Sequence, residues 1–333
     1  MLIRAFILIL CSILSTANAE TNQDNFAERP DVKIFINKMV KKHHFNQAEL
    51  ITIFDNVKVR PAVMRSIKAP LELKAWSSYQ MLFVTEWRIR QGVDFWNKYE
   101  EALQRAEKIY GVPASIIVAT IGVETKYGRN TGNYRVIDAL TNISFSDSPR
   151  SAFFRSELEE FLLMTREQHL NPLKVMGSYA GAIGQPQFMP SSFRYYAVNF
   201  SGNKQIDLSH NELDVIGSIA NYYKQHGWQT NQPIIIPALL KNNKYQFMSQ
   251  IKNMRAFSQL DLAKYGIKIN GRIFSDDQKI KLIEMQGYYG KEYWLGFHNF
   301  DVIKRYNPSN QYAMAVFQLS YYISKLREKT NDA

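Results

Sequence analysis

One stretch of this chain constrains its fold more than any other. From Ala114 to Arg129 the sequence reads ASIIVATIGVETKYGR. Gly111-Val112-Pro113 closes one helix ahead of it and opens the next, since proline is well placed in a first helical turn. Ile116, Ile117, Thr120, Ile121 and Val123 then make the new helix apolar on more than one side, which puts it at the centre of a packed domain. Into this helix the sequence sets a carboxylate, Glu124. A buried, unpaired carboxylate is expensive, and the usual relief is a raised pKa that keeps it protonated. A protonated glutamate facing a cleft is what glycosidic cleavage needs as its general acid. The competing reading is an ion pair with Lys126 or Arg129, or a cap on a neighbouring loop, and the helix alone does not choose between these and the acid.

Most of the remaining pattern is helical. Val32, Phe35, Ile36, Met39 and Val40 keep helical spacing between Asp31 and His43. Asn46 with Glu49 three residues on reads as a capping box for a second helix through Phe54. Long helical patterns follow at Leu71 to Arg90, Val93 to Tyr110, Arg150 to Glu167 and Glu212 to Gln225. The character changes after Trp228. Ile234 to Ile236, Ile267 to Ile269, Lys279 to Met285 and Glu292 to Phe297 are short β-like runs between Gly, Asn and Asp. Helix returns from Asn310 to Arg327, so the β-rich stretch reads as an insertion into a mainly helical chain.

The N-terminus bears on compartment. Arg4 precedes an apolar run from Ala5 to Leu14 and the small residues Ser15 to Ala19, the pattern of a secretory signal peptide over residues 1–19, cleaved before Glu20. The run is too short for a stable membrane span. Acylation at Cys11 is disfavoured, because Leu10 stands where a small residue belongs. Export would remove the only cysteine and leave a chain without disulfides, held by burial alone. With 46% hydrophobic residues it can bury a sizeable core. A formal charge of +11 favours a polyanionic partner. Export and the lack of a helix-turn-helix, zinc-ligand or RNA-binding signature argue against nucleic acid. Peptidoglycan, whose stem peptides and lactyl groups carry carboxylates, fits both charge and compartment, and the periplasm is the expected location.

GVETKYGR resembles the catalytic-glutamate motif of the lytic murein transglycosylase B family, relatives of goose-type lysozyme by fold. WSSYQMLF at Trp76, GVDFW at Gly92, DALTNISF at Asp138, GSYAGAIGQPQFMPSSF at Gly177, IGSIANYYKQHGW at Ile216 and YNPSNQYAMAV at Tyr306 match that family in order. The resemblance implies that Glu124 protonates the bond between N-acetylmuramic acid and N-acetylglucosamine, then takes the proton of the muramyl C6 hydroxyl. The products would end in a 1,6-anhydro ring, with no water consumed. It further implies that Ser178 and Asn307 hold the glutamate or the acetamido group, and that Gln187, Tyr222, Tyr306 and Tyr312 bind the glycan. Met189 would lie against the same groove, and Tyr79 and Arg150 match further groove positions. From the residues alone, the stretch from Gly177 to Pro190 could be only a tight glycine turn, and Tyr306 and Tyr312 only core aromatics.

The implied fold class is mainly α, within α+β. A lysozyme-like catalytic core over 111–230 would follow a helical domain over 20–110. A small inserted β-rich subdomain over 231–300 and a C-terminal segment over 301–333 would complete the chain. The family can carry an EF-hand-like calcium loop, whose counterpart here runs from Asn199 towards Asp214. Asn199 and Asn203 replace carboxylates, Lys204 adds positive charge, and His210 stands where an EF-hand wants a bidentate glutamate. Strong calcium binding is therefore not expected, nor any other cofactor, and the loop would hold itself by side-chain hydrogen bonds. The expected partner is the glycan strand, with cell-wall synthesis or hydrolysis proteins as further candidates, and the chain is expected to act as a monomer. Two rival functions remain at this point: a muramidase that hydrolyses the same bond, and a silent wall-binding scaffold that reuses the groove.

Overall fold

The computed structural model describes residues 25–67, 75–240, 259–264, 266–268 and 279–332. The signal-like segment with Cys11, the start of the helical pattern at Leu71 and the end of the β-like run at Ile269 lie outside the described residues. The chain forms two compact units, one ending at Lys58 and one beginning at Val59.

In the first unit a 3-10 turn at Phe26–Glu28 leads into α1, Pro30–His43, and α2, Gln47–Asp55. The α1 stripe Val32, Phe35, Ile36 and Met39 is buried as its spacing requires. Asn46 caps α2, its side-chain oxygen accepting from Ala48 N at 2.8 Å and Glu49 N at 3.2 Å. The rings of Phe35 and Phe54 meet edge to face at 6.0 Å.

The second unit opens with α3, Pro61–Ser66, and α4, Trp76–Phe83, followed by α5, Glu86–Lys98, and α6, Glu100–Tyr110. The pattern read as one helix from Leu71 to Arg90 is broken at Val84, because Thr85 caps α5 by accepting from Arg88 N at 3.2 Å. The pattern from Val93 to Tyr110 is broken too, at Tyr99, which lies between α5 and α6 with φ −117° and ψ 28°. Next come α7, Ala114–Thr125, α8, Val136–Ser144, and α9, Ser151–Glu167, then α10, Pro190–Tyr196, and α11, Glu212–Gln225. After the β-rich stretch α13, His298–Tyr306, and α14, Asn310–Asn331, end the chain.

Helix α7 is the axis of this unit. Every residue in it is buried except Ser115 and Glu124, which are half-buried. α5, α6, α11 and α14 pack around it. The helices over residues 59–110 therefore belong to the same unit as α7, and only residues up to Lys58 stand as a separate unit. Among the described residues no single helix is long and apolar enough to cross a membrane.

The β structure is slight and antiparallel. β1, Tyr134–Arg135, pairs with β2, Met176–Gly177. β3, Ile235–Pro237, pairs with β7, Gly290–Gly296, which also pairs along its length with β6, Lys281–Gly287. β4, Leu239–Leu240, pairs with β5, Ile267–Lys268, next to a short helix α12, Gln259–Lys264. Leu262, Ile267, Ile280, Leu295 and Phe297 give this insertion a small core of its own. Since β7 runs through Phe297 into α13, the insertion is tied to the element that ends at Tyr306.

Candidate active site

Glu124 occupies the last turn of α7, where the helix stops abruptly. Lys126, Tyr127 and Gly128 follow in the left-handed region at φ 54°, 59° and 80°. For the first two this is a conformation that L side chains seldom adopt, at a cost on the order of 1–3 kcal/mol each. The surroundings hold it in place. The Tyr127 ring turns back so that its hydroxyl donates to Arg88 O at 2.7 Å, over a face kept clear by Gly122, where a Cβ would lie 2.5 Å from that hydroxyl. Thr125 Oγ1 donates to Gln185 O at 3.0 Å and accepts from Gly128 N at 3.1 Å. The helix end that carries Glu124 is thereby tied to the loop opposite.

That loop, between β2 and α10, is one wall of the cleft. Ile183 and Phe188 exchange backbone hydrogen bonds at 2.8 and 3.1 Å, and Gln185 N donates to Leu208 O at 2.8 Å. Gly184, at φ 71°, packs so closely that a Cβ would lie 2.4 Å from Leu208 O. The tight-turn reading and the cleft-wall reading of this stretch are therefore compatible.

Four tyrosines close the other side. Tyr312 donates its hydroxyl to Glu124 Oε1 at 2.7 Å. Tyr306 lies nearly parallel to it, with 6.2 Å between ring centres, and donates to Pro186 O at 2.5 Å. Tyr222 donates to Arg305 O at 2.6 Å, and Tyr223 shares a hydrogen bond with Thr120 Oγ1 at 2.9 Å. The Phe188 ring stands 5.5 Å from Tyr222 and 5.7 Å from Tyr306. Burial first, and then the negative charge of Glu124, push the Tyr306 and Tyr312 phenols well above their ordinary pKa of 10.0. Burial does the same for Tyr222 and Tyr223, which also feel the Glu124 charge. All four stay neutral, and so remain hydrogen-bond donors, across the physiological range.

The other residues singled out from sequence fall in different places. The Ser178 hydroxyl accepts from Ala180 N at 3.3 Å and Ala182 N at 3.0 Å, holding the loop in shape. Gln187, at φ 49°, donates to Thr131 O at 3.1 Å and Gly184 O at 2.9 Å. Half-buried Met189 precedes α10, and half-buried Asn307 follows Tyr306 at the end of α13. Tyr79 is only 2% exposed and stacks on Phe83 at 4.5 Å, which is a packing contact. Arg150 is exposed, its guanidinium over the rings of Phe153 and Phe154 at 5.3 and 5.1 Å. Arg129 turns to Gln91 and the Trp87 ring. Sequence reasoning passed over Tyr127 and Tyr223, although both lie inside the quoted motifs. What could have marked them is their adjacency to Glu124 and Tyr222.

Other buried carboxylates are engaged elsewhere. Asp138, fully buried, accepts from Arg60 at 3.1 Å and from Arg135 at 2.6 Å. Glu157 accepts from both the amide and the hydroxyl of Ser191, at 2.9 and 2.7 Å, and burial raises its pKa. In the loop from Asn199 to Asp214, the Asp214 carboxylate accepts from Ser201 N at 2.8 Å and Asp207 N at 3.1 Å. Asp207 Oδ1 accepts from Ser209 N at 2.8 Å and His210 N at 3.0 Å. The Asp207 and Asp214 carboxylates are thus engaged by backbone amides of the loop itself, with Asn199 and Asn203 at its start.

Comparison with known proteins gives this geometry a context. The family model described as "Transglycosylase SLT domain" matches residues 27–321. The membrane-bound lytic murein transglycosylase B of Escherichia coli K12 is 41% identical over 314 residues, covering 91% of this chain and 85% of that protein. The crystal structure of the soluble lytic transglycosylase SltB1 from Pseudomonas aeruginosa superposes with a TM-score of 0.82 at 46% identity, covering 90% of this chain and 100% of that one. The Escherichia coli lytic transglycosylase Slt35 in complex with bulgecin A superposes with a TM-score of 0.83 at 40% identity, covering 91% and 96%. By model, sequence and fold alike, this chain belongs to the SLT transglycosylases, within the lytic murein transglycosylase B family.

Proposed function

We propose that this enzyme cuts the glycan strands of peptidoglycan as a lytic transglycosylase, with Glu124 serving in turn as general acid and general base. The observation that carries the assignment is the 2.7 Å hydrogen bond from Tyr312 to Glu124 Oε1, inside a cage of neutral phenols at the end of a buried helix. Protonated Glu124 gives its proton to the oxygen linking N-acetylmuramic acid to N-acetylglucosamine, and the C1–O bond breaks. The carboxylate left behind takes the proton of the muramyl C6 hydroxyl. The C6 oxygen closes on C1, and the strand ends in 1,6-anhydro-N-acetylmuramic acid. Glu124 recovers its proton in the second step, so one carboxyl group suffices and no water enters. The buried carboxylates Asp138 and Glu157, held by their own partners, are consistent with that economy.

Tyr222, Tyr306 and Tyr312 orient the sugar around Glu124, and Gln187, Met189, Asn307 and Ser178 shape the rest of the groove. Tyr79 supports α4 from within, and Arg150 meets the strand farther out. Calcium is not required. A peptidoglycan substrate is met in the periplasm, which agrees with the signal-like N-terminus. Digestion of purified sacculi in water enriched in oxygen-18 tests the reaction. The expected products carry anhydromuramyl ends without label, whereas labelled reducing ends would make the enzyme a muramidase.

A further inference from the structure

Among the described residues, the most exposed aromatic rings stand at the tip of the β6–β7 hairpin. Gly287 pairs with Gly290, so the turn between the strands is Tyr288-Tyr289, and these two residues are 76% and 98% exposed. Among the described residues their only ring contact is with each other, at 4.9 Å and 79°, which presents two faces nearly at right angles. The backbone does not call for tyrosine here. Gly290, at φ 125°, takes the conformation that L side chains avoid, and Asn, Asp, Ser or Gly would serve the two turn positions as well. Packing does not call for it either, since both side chains lie in solvent. Beside the tip, Lys291 is paired with Glu284 at 3.0 Å, and opposite it the exposed Gln286 side chain makes no hydrogen bond among the described residues. The aromatic rings near Glu124, by contrast, join one another through Phe188, Tyr222 and Tyr306. Six steps of about 3.4 Å along β7 put the tip roughly 20 Å from the end of the strand that leads into α13.

We propose that this tip grips a glycan strand of the wall other than the one in the cleft, an inference that rests on the reading of the cleft as a murein site. A sugar ring offers a flat face of C–H groups that stacks on the electron-rich face of an aromatic ring, and a rim of hydroxyls that bond to phenols and amides. Tyr288, Tyr289 and Gln286 supply both kinds of partner on one convex tip. A protein partner would need more area: two tyrosines cover roughly 300–500 Å², whereas a stable interface buries roughly 800 Å² on each side. An anionic lipid surface would call for free cations, and the lysine beside the tip is already paired. Because the tip rings touch none of the cleft aromatics, the tip is a second point of contact and not a continuation of the groove wall. In a wall of many strands, a weak second hold raises the effective concentration of glycan at the cleft and outlasts the cut, since the gripped strand is not the one severed.

The test uses the full-length enzyme with Tyr288 and Tyr289 both replaced by alanine or both by phenylalanine; the two side chains touch only each other, so the variants retain the fold. Intact sacculi are compared with dilute, soluble glycan strands freed from the wall by an amidase, which fill the cleft but bring no neighbouring strand. In the double alanine variant the apparent KM on sacculi should rise about five- to tenfold, with kcat unchanged and both constants unchanged on soluble strands. Co-sedimentation of the same variant with sacculi, in a Glu124→Gln background, should weaken by a similar factor, and the double phenylalanine variant, which keeps the rings, should restore most of it. Sacculus binding and KM equal to wild type in the double alanine variant would overturn the grip. An equal rise in KM on soluble strands would overturn it too, by assigning the tip to the strand being cut. Either result leaves the transglycosylase reading standing. Failure of the wild type to cut either substrate would overturn the reading of the cleft, while co-sedimentation would still decide for or against the tip.

Discussion

At the scale of single residues, the site reduces to a carboxyl group and the phenol that holds it. Glu124→Gln keeps the shape but neither donates the proton nor recovers one. Its turnover on sacculi should fall at or beyond the upper end of the ~10²–10⁴-fold typical of general acid–base groups, with an unchanged circular dichroism spectrum. Substantial residual cleavage would remove Glu124 from the mechanism. Tyr312→Phe is subtler. The Tyr312 hydrogen bond favours the carboxylate anion, so its loss leaves Glu124 protonated to higher pH. The alkaline limb of kcat/KM should move upward in this variant, with turnover near the optimum lowered about tenfold. An unmoved limb would show that another group sets it. The tyrosines are poor candidates, since burial keeps Tyr306 and Tyr312 protonated past pH 10. Glu124 was legible in the sequence because a carboxylate stands out in an apolar helix. The half-buried position and the partner were not, because Tyr312 lies 188 residues away and nothing local announces the pairing.

At the scale of elements, periodicity revealed the helices more faithfully than their ends. The helical pattern across Val84 hides a break, since one capping threonine outweighs a continuous apolar rhythm. The left-handed exit from α7 was equally hidden, because Lys126 and Tyr127 carry no glycine signal. Packing of Tyr127 over Gly122 maintains it, and this gives a test. In Gly122→Ala the new methyl would crowd the Tyr127 hydroxyl, with a stability loss of about 1–3 kcal/mol and a larger loss of activity as the helix end shifts. A variant as stable and active as wild type would show that the helix end does not depend on this contact. The start of α8 supplies a second test. Asp138→Asn leaves Arg60 and Arg135 without their shared anion, and should lower stability by about 2–3 kcal/mol in urea unfolding. That is below the range for fully buried pairs, because both guanidinium groups touch water. An unchanged midpoint would make the clamp dispensable.

At the scale of the whole molecule, calcium offers the sharpest check on how the loop from Asn199 to Asp214 holds itself. Low-millimolar calcium should leave the melting temperature nearly unchanged, since a ligand stabilises only above its dissociation constant. A saturable rise would mean that Asp207 and Asp214 exchange their amide partners for the metal. The division into a separate unit up to Lys58 was not legible, because helical spacing does not say which helices share a core. The contribution of the last helix has a consequence for the life of the enzyme. Glu124 receives its phenol from Tyr312, and the Pro186 loop is fastened by Tyr306, near the far end of the chain. A polypeptide made from its N-terminus presents the acid long before either tyrosine is added. The blade of a wall-cutting tool is thus fitted last, and a copy cut short before Tyr306 lacks both of the phenols that hold its acid and its loop in place.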